Sequence, residues 1–375
     1  MRIAVDARAL EERPTGTGRY LIGILREWLA AFPGDHLSLL SCRPVHLPDD
    51  LGSCPGLSVA IGGRRMPGTL WLQTLAPRMA RLAEAEAFFG PLGVLPRRPG
   101  LPSVVTIHDL TPVLFPEWHT RKNRLAFGPF LPGTLAAATA VIAVSRATRR
   151  DLVARHPEAE RKTVVVWNGV DAVRPPPLTE LPEPYVLFLG TLEPRKNVDR
   201  LVAAMESIWD RRPDFPKLLL AGGSGWGLPK FEERLRGSRH AARIERLGYV
   251  PAGNAEALIA GARVLAYPSL YEGFGLPVLE AMALGTVVVG SSASSLPEVI
   301  GEAGLLPDPT SVADIAAAIE KAQDDEAFRA EARVLGLARA ATFTWKRAAL
   351  ETRAVFERVR SPEGAEPRRY ALAAP

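Results

Sequence analysis

Cysteine is nearly missing from this chain: 375 residues contain two, Cys42 and Cys54. So few cannot build a disulfide framework, and neither has the spacing or histidine company of a metal site. Both are expected as free thiols in a reducing cytosol. No secretory leader is expected either, since the opening MRIAVDARALEERP runs straight into a charged pattern. The stretch 125–145 carries no charge and approaches a bilayer span in length. Pro129, Pro132 and Gly133 break it, however, and its end, AVIAVS, is rich in β-branched residues. That pattern predicts a short helix followed by a buried strand, and no transmembrane helix. No basic tract with interleaved aromatics stands out, so no nucleic-acid partner is expected.

What is present describes a globular α/β protein. Hydrophobic residues make up 47% of the chain and charged residues 23%, enough for two cores in a chain this long. The net charge of +5 suits anionic partners such as nucleotide phosphates or an acidic membrane surface. Short apolar runs alternate with longer amphipathic segments, the pattern of parallel sheets covered by helices. Strands are predicted at 2–6, 37–41, 58–61, 87–89, 104–108, 141–145 and 164–167, with helices at 18–32 and 146–155. The proline-rich run RPPPLTELPEP then reads as a linker, 174–184. Strands at 185–190, 217–221, 244–247, 264–267, 287–289 and 305–306 follow. Helices are predicted at 198–211, 255–261, 277–284, 312–324, 326–342 and 345–360. Two Rossmann-like domains are therefore expected, 1–173 and 185–344, their parallel sheets facing a central cleft. The helix 345–360 is expected to pack back toward the first domain, and 361–375 to form a loose tail. Ligands of open α/β sheets bind at the carboxyl ends of the strands, which places the expected site in that cleft.

The most informative segment is YPSLYEGFGLPVLEAMALG, residues 267–285. It leaves a predicted strand, passes through a glycine turn and enters a helix with Pro277 in its first turn. Backbone N–H groups of Phe274, Gly275 and Leu276 at that helix start make an expected anion site. Gly273 and Gly275 lack side chains and let a ligand approach the backbone. Glu272 and Glu280 bracket the turn with seven residues between them. Carboxylates bind hydroxyl pairs well, and a nucleotide sugar has two such parts. Glu272 is thus expected on a hexose and Glu280 on a ribose, with phosphates between them.

A second segment, GTLEPRKNVDRLV at 190–202, leads from a strand into a helix. Arg195 and Lys196 near that start suit a diphosphate whose charge grows as it departs. His108 follows a first-domain strand, with Asp109 beside it to orient the ring. Gly16-Thr17-Gly18-Arg19-Tyr20 is expected as a loop in the first strand–helix connection. It is not a dinucleotide fingerprint, because Leu21 stands three residues after Gly18. Gly222-Gly223-Ser224-Gly225 is expected to line the base or ribose pocket, and Asn168-Gly169-Val170-Asp171 to form a structural turn near the hinge.

Taken together, these segments resemble the retaining glycosyltransferases of family four, which have the GT-B fold. The glutamate–seven-residue–glutamate motif matches Glu272 and Glu280, and GFGLPVL is a usual filling. MRIAVDARAL, GTGRY, HDL, VSRATRRDL, NGVD, GTLEPRKN and SSLPEV follow in the family's order. The resemblance implies that His108 faces the donor sugar and that Gly16 and Gly18 lie beside the donor phosphates and the acceptor. It departs at Thr191, where many members carry arginine. GTLEPRKN instead resembles a mannosyltransferase-like subgroup, which implies that Arg195 supplies that cation while Lys196 matches the family lysine. The implied reaction is retaining transfer of a hexose, mannose favoured, from a nucleoside-diphosphate sugar such as GDP-mannose. The implied acceptor is a saccharide or lipid-linked saccharide of a bacterial surface polysaccharide. No two aspartates are separated by a single residue, so the Asp-x-Asp metal motif of the other large glycosyltransferase architecture is absent. No metal or other cofactor is expected. The localisation implied is cytoplasmic, with Arg121, Lys122 and Arg124, near Trp118 and Phe127, as a possible peripheral contact with an anionic membrane. A sugar-nucleotide epimerase, a phosphorylase and a non-catalytic nucleotide-sugar-binding protein are the rival readings.

Overall fold

The computed structural model describes residues 1–12, 16–119, 128–171, 184–223, 225 and 228–360. It divides into two compact units, Met1–Gly169 together with the chain from Phe343, and Val170–Thr342.

The first unit is built on seven parallel strands: β1 (Arg2–Asp6), β2 (His36–Ser41), β3 (Leu57–Ile61), β4 (Ala87–Gly90), β5 (Ser103–Ile107), β6 (Ala140–Ala143) and β7 (Thr163–Val165). Their order across the sheet is β3-β2-β1-β4-β5-β6-β7. Central strands read as continuous apolar runs because both faces are covered, and AFFG of β4 and SVVTI of β5 are buried throughout. The helix Gly16–Ala31 buries a stripe that includes Tyr20, Leu21, Ile24, Trp28 and Leu29. GTGRY therefore forms the first turns of this helix rather than a loop, because Gly18 and Tyr20 already point into the core.

The helix Trp345–Arg360 belongs to this unit and lies against Gly16–Ala31. Gly23 makes room for it: a Cβ there would stand 2.4 Å from the Trp345 ring. Farther along, Phe356 meets Trp28 and Phe89, each at 5.4 Å between ring centroids. Arg353 Nε donates to Asp35 at 2.7 Å, and Trp28 Nε1 donates to the same carboxylate at 2.8 Å. The turn at Asn168-Gly169 closes on this helix too, since a Cβ on Gly169 would meet the Trp345 backbone nitrogen at 2.1 Å.

The uncharged stretch 125–145 yields the helix Leu131–Ala137 and then β6. Among the described residues no helix is long and apolar enough to cross a membrane. Trp118 stacks on Phe115 with centroids 4.1 Å apart. Arg121, Lys122, Arg124 and Phe127 lie outside the described residues, as do 174–183 of the linker and 361–375.

The second unit repeats the plan with β8 (Tyr185–Leu189), β9 (Lys217–Ala221), β10 (Ile244–Gly248), β11 (Val264–Ala266), β12 (Val287–Val289) and β13 (Gly304–Leu305). Its order, β10-β9-β8-β11-β12-β13, reverses direction between β8 and β11, as the first sheet does between β1 and β4. Such switch points leave a crevice beyond the strand ends, the ordinary ligand position of doubly wound sheets.

Candidate active site

The two loops that leave the second switch point bring four charged side chains together. After β8 runs 190–197, and after β11 runs 267–274. Asn197 holds them together from a left-handed conformation, φ 60°. Its Nδ2 donates to the carbonyls of Pro268 at 2.9 Å and Pro309 at 2.6 Å. The backbone N–H of Leu270 donates to the Arg195 carbonyl at 2.8 Å. Pinned this way, Glu272 is only 5% exposed and accepts from Lys196 Nζ at 2.6 Å and Arg195 NH1 at 2.8 Å. Glu193 takes the other side of the guanidinium, Oε1 to Nε at 2.5 Å. Lys196 also donates to the Tyr267 hydroxyl and stands over that ring, which stacks on Phe188.

These are two cations and two carboxylates, all but Arg195 buried. Burial works to raise the Glu272 pKa, but Lys196 and Arg195 overcome it and hold the carboxyl at about 2. Burial lowers the Lys196 pKa, and the like charge of Arg195 adds to that, against the pull of Glu272. The Tyr267 phenol is pushed well up by burial and then by the negative charge of Glu272.

A pH dependence follows. With a folded pKa of about 2 against an ordinary 4.5, Glu272 contributes stability that is fully present above pH 4.5 and is lost as pH falls toward 2. The contribution is on the order of 3 kcal/mol. Chemical denaturation of the wild type should weaken across this window, and Glu272→Gln should remove that part of the slope. Parallel slopes in the two proteins would refute the assignment.

The glycine turn is held from behind. Ser294 Oγ donates to the Glu272 carbonyl at 2.6 Å, and Ser295 Oγ donates to the carbonyls of Glu272 at 3.0 Å and Phe274 at 2.9 Å. The helix Leu276–Ala283 begins after Gly275, whose φ is +104°. A Cβ at Gly275 would also stand 2.7 Å from Leu296 Cδ2. The backbone and Leu296 thus require glycine here, a different reason from ligand access. Gly273 lies in the same turn, Phe274 is buried, and Leu276 with Pro277 opens the helix. Glu280 sits one turn into it, 7% exposed.

Gly222 is likewise required by the backbone. At φ +145°, a Cβ on it would fall 2.0 Å from the Gly190 carbonyl oxygen. The loops after β8 and β9 approach too closely for any side chain, and Leu192 N–H donates to the Gly223 carbonyl at 3.0 Å. Thr191 is exposed on that loop.

His108, Gly16 and Gly18 belong to the first unit. His108 Nε2 donates to the Pro91 carbonyl at 2.7 Å, which fixes the proton on Nε2 and leaves Nδ1 an acceptor. Tyr20 meets the ring edge-on at 4.9 Å, and burial lowers the imidazole pKa. Asp109 does not orient the ring. Its Oδ1 accepts from Thr111 N at 3.0 Å and Oγ1 at 2.7 Å, just ahead of the short helix Thr111–Leu114.

Sequence reasoning missed Glu193, Asn197, Tyr267, Ser294 and Ser295. All five stand inside motifs singled out for other reasons. The carboxylate Glu193, two residues before the cation Arg195, was the one usable signal.

Two doubly wound parallel sheets are thus present, and the second carries an Arg–Lys–Glu cluster at its switch point beside a glycine turn and a helix start. Residues 171–334 match the family described as Glycosyl transferases group 1, and 34–174 match Glycosyltransferase Family 4. O-antigen chain mannosyltransferase B of Escherichia coli is 34% identical over 277 residues, 71% of this chain and 72% of that protein. The chain belongs to the family 4 glycosyltransferases. Serotype-specific mannosyltransferase WbdA of E. coli is 31% identical over 261 residues, 65% of this chain but 32% of its own length. Among solved structures, sucrose-phosphate synthase of Thermosynechococcus elongatus superposes with a TM-score of 0.75 at 23% identity, covering 96% of this chain and 98% of that one. HepE of Anabaena, solved with UDP and glucose, gives 0.71 at 18% identity over 95% and 99%.

Proposed function

We propose that the protein is a retaining hexosyltransferase that moves mannose from GDP-mannose to a saccharide or lipid-linked saccharide acceptor in bacterial surface polysaccharide synthesis. The observation that carries this reading is the ionic cluster of Arg195, Lys196 and Glu272 beside the helix start at Leu276. The names of the E. coli relatives favour mannose and a surface polysaccharide. In this reading Arg195, Lys196 and the first N–H groups of the helix take the donor diphosphate, and no metal is needed to neutralise it. Glu272 accepts one cation on each oxygen and keeps further lone pairs for hexose hydroxyls. Glu280 takes the ribose. His108, neutral and with Nδ1 as acceptor, takes a sugar hydroxyl and is not a general base. The bond from the anomeric carbon to the donor phosphate breaks as the acceptor oxygen bonds to that carbon. The departing phosphate oxygen receives the acceptor proton, and the nucleoside diphosphate leaves. The protein acts in the cytoplasm, peripheral at the membrane that carries its acceptor.

Thermal unfolding with UDP, GDP, their sugars and NAD tests the donor. GDP at about a hundred times its dissociation constant should add roughly 2.7 kcal/mol. That gain should vanish in Glu280→Ala. A shift with UDP alone would overturn the GDP assignment, and none with any nucleotide would overturn the enzyme's proposed donor class.

A further inference from the structure

Three elements of the first unit meet on the ring of His108. The histidine follows β5, and its Nε2 is engaged by the carbonyl of Pro91, in the loop after β4. Tyr20, in the helix that follows β1, stands nearly at right angles to the ring, 84° between planes and 4.9 Å between centroids. The sheet order reverses between β1 and β4, so both contacts come from elements that leave the first switch point. Nδ1 makes no hydrogen bond among the described residues. Tyr20 is itself held in place. It is 1% exposed, and its hydroxyl shares a 2.9 Å hydrogen bond with Thr106 Oγ1. Thr106 is fully buried in β5, two residues ahead of His108. The last helix closes the other side: Thr352 faces the phenol hydroxyl, and the Trp345 ring lies 6.3 Å from that of Tyr20 at 67°.

We propose that Tyr20 is a positioning residue: it fixes the plane of the His108 imidazole and so keeps Nδ1 presented as an acceptor. The Pro91 bond alone sets only a weak preference, since one hydrogen bond is worth about fivefold in population. A half-turn of the ring would carry Nδ1 to the place of Cδ2 and take Nε2 away from the carbonyl. An aromatic ring packed across the imidazole blocks that turn, because a close-packed interior has no space for the ring to sweep through. The Thr106 bond and the last helix keep Tyr20 from yielding. This role rests on the reading above in which His108 takes a sugar hydroxyl. It adds that Trp345 and Thr352, on the last helix, support that ring through Tyr20.

The test joins imidazole ¹⁵N NMR of the full chain to kinetics, read as GDP release from GDP-mannose with a mannose disaccharide as acceptor. The chain has six histidines, and His108→Ala assigns the His108 signals by their loss. The wild type should show the Nε2–H tautomer alone. Tyr20→Leu keeps apolar volume but not the flat ring. It should give the intermediate shifts of a tautomer mixture and lose about tenfold in kcat, with KM near the wild-type value. Tyr20→Phe should restore the single tautomer and most of the rate, although loss of the hydroxyl lowers its melting temperature. Stability and positioning are thereby read apart. In a His108→Ala background, Tyr20→Leu should cost nothing further in kcat. A single tautomer in Tyr20→Leu, or the same kcat loss with and without His108, would overturn the proposal. Wild-type turnover in His108→Ala would instead refute the sugar contact of His108, and the tautomer alone would then decide the role of Tyr20.

Discussion

A Lys196→Met variant is expected to lose at least a hundred-fold in transfer rate and about 3 kcal/mol of stability. Removing one partner of a buried ion pair leaves the other charge uncompensated, and Glu272 has almost no water to turn to. Arg195 remains on the other oxygen, but it is shared with Glu193. Methionine also withdraws the donor to Tyr267, leaving that buried phenol without the ammonium. The two losses separate in a double variant. Lys196→Met with Glu272→Gln should recover stability, because no buried charge is stranded, yet stay inactive because the cation proposed for the donor phosphate is gone. Recovery of transfer in the double variant would show that Lys196 acts only by balancing Glu272.

Trp345→Ala should cost about 3–5 kcal/mol, among the largest effects available from one core side chain. The indole is 6% exposed and is received by shapes that cannot close over a void. Gly23 has no side chain to fill the space, and the Gly169 backbone lies against the Trp345 nitrogen. Tyr20, 6.3 Å away between centroids, would lose the ring it leans on. Trp345→Phe keeps an aromatic in the slot and should recover more than half of the loss. Calorimetry decides the matter, and a Trp345→Ala protein within about 1 kcal/mol of wild type would mean the helix is held elsewhere.

Much of the fold was legible because the sheets are parallel and buried on both faces. Runs such as RIAVD, KLLLA and VVV announce themselves by composition, and β1, β9 and β12 coincide with their predicted spans. The helices 146–155, 198–211, 312–324 and 345–360 also coincide, since each has a long amphipathic period. Short helices were not legible. Gly68–Thr74 and Ala76–Leu82 are seven residues each, too brief for periodicity to separate from loop. Gly16-Thr17-Gly18 read as a loop because glycine is a poor helix former, but the burial of Tyr20 outweighs that preference.

At the site, residue types were readable and pairings were not. Glu272 and Lys196 are 76 positions apart in the chain, and only the order of strands brings them together. The sequence offered separate tasks for the carboxylate and the basic pair, whereas the structure makes them one ionic unit. The glycines carried a second ambiguity. Gly222 and Gly275 are explained by a backbone approach and a side-chain neighbour, neither visible without the fold.

The order in which this chain can complete itself is set by the placement of its last helix. Val170–Thr342 is one continuous segment, so its sheet has every strand once that segment leaves the ribosome. The N-terminal unit is not continuous. Its seven strands are all synthesised by Val165, yet Gly23, Trp28 and Phe89 still face the empty place of Trp345 and Phe356. That apolar surface stays uncovered while some 180 further residues are made, a delay of about ten to thirty seconds at ordinary rates of synthesis. The half that is made first is therefore the half that finishes last.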